Sequence, residues 1–358
     1  MLARLENGEQ YMSNSKKIGE KICAILYKIK RLLKSDKKRA FRLIFTCFLF
    51  VFNTSCSVMQ AHLKGWYPTN LTMLYHALDT CNVQAQQQER QEKHEQTGEL
   101  VRALIVPHAG LKYSGVLAAR CFRLLLSKKI SRVIILAPCH RSCFSGIMVP
   151  SFTSYEIAGK KLPVDKKIIK FLKNKRVFTT VKQAHINPFV VEHALEMELL
   201  FLAYYLPDVS IVPLFMGCLD DHDLAHAGQE IAACLDTNTV IIVSSDFTHY
   251  GPQFDWLPCR APEAPAYVKN LDTQILAHIQ AGVTACDFLD LVHKYDSTVC
   301  GKHAIALLLQ IFQEKSCIKK WGKKLQGNLV GYSASYDKDG VYKNFVSYAG
   351  VAFTVMPV

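Results

Sequence analysis

From residue 101 onward, apolar runs of six or seven residues alternate with longer stretches whose apolar positions recur at helical spacing. That order leaves few architectures open, because strands separated by helices pair in parallel and have both faces covered. The strands expected are Val101–Val106, Arg132–Ala137, Val209–Phe215 and Thr239–Ser244. Helices are expected over Val116–Leu126, Val190–Tyr205, Leu224–Leu235, Ala266–Gln280 and Lys302–Gln313. Two closing runs, Leu329–Tyr336 and Phe345–Val355, flank the turn-like Asp337-Lys338-Asp339-Gly340 and should pair antiparallel. The expectation is therefore an α/β fold, a single domain with a mixed, largely parallel central sheet flanked by helices.

This domain is assigned to residues 57–358. Within it, Gly65-Trp66-Tyr67-Pro68 forms a short opening element, followed by a Gln-rich insertion at about 84–96 that reads as a solvated helix extension or loop. Residues 1–56 are different in kind. The first 42 carry twelve Lys or Arg against four Asp or Glu, so +8 of the formal +13 lies there and the body is not strongly basic. Nucleic-acid binding loses its main support. The basic stretch runs into the uncharged Leu43–Phe52 and then Asn53-Thr54-Ser55-Cys56, the order of a signal peptide or membrane anchor, with Cys56 spaced as in a bacterial lipoprotein signal. Export or tethering follows if 1–56 acts as a signal. Otherwise the chain is cytoplasmic, a reading favoured by ten later cysteines with no Cys-x-x-Cys pair among them.

Three of the thirteen histidines each follow an apolar strand closely. His108 lies in Pro107-His108-Ala109-Gly110, His140 in Pro138-Cys139-His140, and His249 in Ser244-Ser245-Asp246-Phe247-Thr248-His249-Tyr250. The carboxyl ends of parallel strands share one edge, so three strands would deliver imidazoles to one crevice. Imidazole is a common metal ligand, and an anionic donor is its expected complement. Cys300 can supply one, since Cys300-Gly301-Lys302-His303 opens a helix that Ser297 or Thr298 could cap, and the helix end and Lys302 would favour thiolate. Spacing alone fits a half-buried inert thiol slightly better. His193, within Glu192–Glu198, reads as part of a polar face on a packed helix, ahead of a chelating set. Tyr113-Ser114-Gly115 is either a plain turn and cap for a helix beginning at Val116 or an anion site built from its free amides.

These motifs together resemble the Memo-like family, known in bacteria as AmmeMemoRadiSam system protein B. The resemblance extends from about Gly65 to Val358, and Glu192-His193-Ala194-Leu195-Glu196, Cys300-Gly301 and Gly331-Tyr332-Ser333 also carry it. It implies a fold similar to the extradiol non-haem iron dioxygenases. It further implies that His108, His140 and Cys300 are metal ligands and that His249 occupies the place of an acid/base histidine. The cofactor expected is one transition metal ion, iron or copper first and zinc third. A thiolate in place of the dioxygenase carboxylate moves preference toward softer metal chemistry.

Three functions compete. The first is a metal-binding accessory protein in a redox or radical SAM-linked modification system, partnered by family analogy with radical SAM and AMMECR-type proteins. The second is a metal-dependent oxygenase or oxidoreductase in which His249 moves protons. The third is a metal-free Cys–His hydrolase or transferase using Cys300 and His249. It ranks last because it leaves His108 and His140 without a role.

Overall fold

The structure, a computed structural model, describes residues 58–61, 63, 65–92, 100–126, 129–180, 187–322 and 325–355. The signal or anchor reading of 1–56 and the end of the Gln-rich insertion lie outside the described residues. No helix among those described is long and apolar enough to cross a membrane.

Twelve strands are present among the described residues: β1 (Met59–Gln60), β2 (Val101–Val106), β3 (Arg132–Pro138), β4 (Ile147–Val149), β5 (Ser154–Ile157), β6 (Lys160–Pro163), β7 (Phe178–Thr180), β8 (Ser210–Met216), β9 (Thr239–Ser244), β10 (His249–Tyr250), β11 (Leu325–Ala334) and β12 (Phe345–Val355). The main sheet runs β10-β12-β2-β9-β3-β8-β4-β7, with β11 paired to β12. Its centre, β2-β9-β3-β8, is parallel, while β12 is antiparallel to β2 and β4 to β8. The sheet is mixed, as expected. A second small sheet has the order β1-β5-β6.

Every residue of β2 and β9 is buried, which is why they read as continuous apolar runs rather than alternating ones. Helices cover the sheet. Those that matter here are α1 (Leu71–Gln91), α2 (Leu111–Arg123), α3 (His193–Tyr205), α4 (Asp221–Cys234), α5 (Ala264–Ala281) and α6 (Lys302–Gln313). α2 packs on α1, α3, β2 and β12, whereas α6 packs on α4, β3 and β9. In α1 the Asn70 side chain accepts the Met73 N–H, and a stripe of Leu74, Leu78, Cys81 and Ala85 is buried. The glutamines of the insertion thus continue a helix, up to Gln91.

Three expectations need correction. α2 starts at Leu111, not Val116: Gly115 is no turn residue but a point of close packing, where a Cβ would stand 2.8 Å from Cys81 Sγ. The helix expected over Val190–Tyr205 breaks at Glu192, which is extended (ψ 133°) and caps α3 with its own carboxylate. β11 begins four residues early at Leu325, and a single helical turn, Tyr336–Asp339, leads toward β12 instead of a bare loop.

Candidate metal centre

Register sets the site. Ile105, Val243 and Leu136 lie in one row across β2, β9 and β3, and all three strands run the same way. The chain leaving β2 therefore carries His108, and that leaving β3 carries His140, to the same carboxyl edge. The Ser245 N–H bonds Val106 O at 2.9 Å, so the β9 exit stays beside the β2 exit as it proceeds to Asp246 and β10.

There His108, His140 and His193 form a cluster whose ligand nitrogens all lie within 4.8 Å of one another, a set able to hold a metal ion. The ring centroids are 5.4 Å apart for His108 and His140, 5.2 Å for His108 and His193, and 4.9 Å for His140 and His193. His193 was not expected here. It opens α3 and is stacked between His140 and Trp66, the latter at 4.0 Å and 22°. No strand precedes it, so strand-end reasoning passes over it. The available signal was Glu192, a carboxylate directly before a helix, where it satisfies free amides and favours the positive helix end.

Glu192 has a buried carboxylate that organises two of the three imidazoles. Oε2 accepts the His140 backbone N–H at 2.6 Å, and Oε1 lies 3.0 Å from His140 Nδ1 and 2.9 Å from His193 Nδ1. Oε1 also accepts the His193 and Ala194 N–H groups that cap α3. Although burial alone would raise it, this carboxyl is held well below the usual carboxylate range by His140 and His193. Burial likewise opposes the charge on His140, but the Cys300 sulfur and Glu192 outweigh it and raise the imidazole. His108 is fully buried; its N–H donates to Asp246 Oδ1 at 2.8 Å and its Nδ1 sits 2.8 Å from Ser244 Oγ. Burial first, then the like charges of His193 and His140, push its pKa well down, so it is neutral. Nδ1 is engaged in His108 and His140, which leaves Nε2 of those rings to face an ion, while His193 Nδ1 lies against Glu192 without hydrogen-bond geometry.

Cys300, expected to complete the set, lies beside His108 and is not one of the three mutually close donors. Its Sγ is 3.4 Å from His108 Nε2 and 3.2 Å from Asp246 N. The expected thiolate stabilisation is corrected: burial raises the thiol pKa, and His140 only opposes this in part. Neither Ser297 nor Thr298 caps α6, whose N-cap is Gly301 without a side-chain bond. Thr298 is instead committed to His249, accepting its N–H at 2.7 Å. Gly301 is required by close approach, since a Cβ there would stand 2.4 Å from Ser245 Cβ. His249 Nδ1 faces two carbonyls, Phe247 O at 2.9 Å and Thr298 O at 3.1 Å, and so carries the proton. Burial lowers its pKa to about 4 despite those carbonyls, with the charges of His140 and His193 acting in the same direction.

The anion reading of Tyr113-Ser114-Gly115 fails. Leu111 N–H bonds Trp66 O, and the Tyr113 and Ser114 N–H groups bond Gly110 O, so those amides are already used.

A family model described as Memo-like protein matches residues 60–352. Protein MEMO1 of Xenopus laevis is 27% identical over 310 residues, covering 85% of this chain and 99% of that protein. A MEMO1 family protein of Thermococcus onnurineus (strain NA1) is 30% identical over 264 residues, 71% of this chain and 87% of that one. Among solved structures, an uncharacterized protein from Escherichia coli K12 is similar with a TM-score of 0.41 and 12% identity, covering 71% of this chain and 99% of the other. The family match spans most of the chain, including His108, His140, His193, His249 and Cys300: this chain belongs to the Memo-like family.

Proposed function

We propose that this chain binds one transition metal ion through His108, His140 and Cys300, with His193 as a further imidazole, and serves as an accessory component of a redox or radical SAM-linked modification system. The observation that carries the reading is the set of three converging imidazoles, two of them hydrogen-bonded from behind at Nδ1, beside a thiol. The donor chemistry fits such an ion: a buried, neutral His108 imidazole, two further imidazoles and a soft sulfur crowd together with their donor atoms facing one another, and make good ligands for a cation. Iron or copper suits nitrogen and sulfur donors, and zinc is the third choice. When bound, the ion supplies a Lewis-acidic or one-electron centre. The residues around it fix ligand orientation through Glu192 and Ser244 and keep water from His108, which is 1% exposed. Partners by family analogy are a radical SAM protein and an AMMECR-type protein.

One observation supports a second reading, a metal-dependent oxidoreductase. His249 is a neutral imidazole with its proton fixed on Nδ1, which leaves Nε2 free to accept a proton from a substrate near the cluster. The metal-free Cys–His hydrolase loses ground, because burial keeps Cys300 a thiol and no hydrogen bond joins it to His249 among those described.

Metal analysis of the full chain purified without chelator tests the proposal. About one metal per chain is expected, falling sharply in His108→Ala and in Cys300→Ala. Metal-free protein whose Cys300 alkylates rapidly at neutral pH would overturn it. Oxygen uptake with a catechol, present in the loaded protein and lost in His249→Ala, would move the assignment to the second reading.

A further inference from the structure

Behind His108, on the side away from the cluster, lies a buried chain of polar atoms that the proposed function does not use. Ser244 Oγ is 2.8 Å from His108 Nδ1, 2.8 Å from Glu198 Oε1 and 2.7 Å from Ala194 O. Ser244 and Glu198 are both 0% exposed, and Glu198 Oε2 has no hydrogen-bond partner. We infer that Glu198 is a positioning residue: as a neutral carboxylic acid it donates to Ser244 and thereby locks His108 in the Nδ1–H tautomer, with the Nε2 lone pair turned to the metal site. This rests on the metal reading above and deepens it.

An ionised Glu198 would be a fully buried charge with one hydroxyl donor, an unpartnered oxygen, and Asp246 as a neighbour of the same sign. Burial of that kind is met by neutralisation. The direction of its pKa, well above the ordinary carboxylate value, agrees. A neutral acid has a proton to place, and the only acceptor given for its oxygens among the described residues is Ser244 Oγ. Once Ser244 accepts there, its own single proton goes to Ala194 O, a group that can only accept. The lone pair that remains on Ser244 faces His108 Nδ1, which must then carry hydrogen. No other arrangement satisfies all three contacts. The usual carboxylate–histidine–metal relay is thus present with a serine interposed and with the acid protonated.

The test uses the full chain in two measurements. In metal-free protein labelled with ¹⁵N-histidine, long-range proton–nitrogen NMR should show His108 as the Nδ1–H tautomer in wild type and Glu198→Gln, whose amide still donates to Ser244. It should show a mixture in Glu198→Met and Ser244→Ala. Zinc(II) affinity, read by chromophoric competition, should fall about 10- to 100-fold in Glu198→Met and stay within about threefold in Glu198→Gln. A wild-type tautomer and affinity in Glu198→Met and Ser244→Ala, or a Glu198→Gln as impaired as Glu198→Met, overturns the inference. If Glu198→Met does not fold, Ser244→Ala against Glu198→Gln decides it. Wild-type protein that binds none of zinc(II), iron(II) and copper(I) sinks the metal reading, while the tautomer measurement still judges Glu198.

Discussion

Glu192 grips His140 twice, taking its backbone N–H at 2.6 Å on one carboxylate oxygen and standing 3.0 Å from its Nδ1 on the other. The same side chain caps α3, so a helix start and the orientation of an imidazole depend on one carboxylate. Glu192→Ala should therefore lose both. We expect destabilisation on the order of 2–3 kcal/mol, as for losing a helix cap together with a charge-assisted hydrogen bond to a half-exposed imidazole, and a drop of about 10- to 100-fold in metal affinity. Chemical denaturation and metal titration of the same preparation check this; an affinity loss without a stability loss would separate the two roles.

Trp66 should report the site optically. Its ring lies 4.0 Å from that of His193, whereas Trp256 and Trp321 pack elsewhere, against Tyr250 and beneath Arg102. Loading with a paramagnetic or redox-active ion should quench tryptophan emission in wild type. Trp66→Phe should abolish most of that change while leaving the metal stoichiometry intact.

Gly301→Ala should displace Cys300 without altering any candidate donor side chain. The added methyl would meet Ser245 Cβ at 2.4 Å and Ser244 O at 2.9 Å, neither of them at the end of a flexible side chain. A cost of about 1–3 kcal/mol in unfolding free energy is expected from overpacking of this kind, together with weaker metal retention. Wild-type affinity in this variant would show that the sulfur position is not demanding.

Asp272 gives the fold a pH dependence of its own. It is completely buried and accepts hydroxyl bonds from Thr248 at 2.6 Å, Ser347 at 2.6 Å and Tyr332 at 2.7 Å. Burial outweighs those donors and raises its pKa to about 6. The folded state holds this proton more tightly than the unfolded chain, where the group titrates near its ordinary value of about 3.9. Its contribution is full below about pH 4, is lost as pH rises through about 6, and is constant above that. The difference in urea stability between wild type and Asp272→Asn should move by on the order of 3 kcal/mol across that window. A flat difference would mean the hydroxyls compensate the charge fully.

Much of the frame was legible because buried parallel strands leave a local mark. Val101–Val106, Thr239–Ser244 and Lys302–Gln313 fall where their apolar patterns place them. The short strands β1, β4, β5, β6 and β7 have two to four residues each, too few for a period to show. At the site, His108 and His140 could be read from their place after strands, whereas His193 belongs to it through stacks on Trp66 and His140 that no spacing encodes. The glycines misled for the same reason: Gly115 resembles a breaker until Cys81 is known to lie against it.

The last of the described strands, β12, pairs beside β2, which precedes His108 by two residues, with Val351 opposite Ile105. Until Phe345–Val355 has been synthesised and inserted, β2 is an open edge on one side, a row of unpaired amides ready to recruit other chains. A chain truncated before residue 345 should therefore be aggregation-prone.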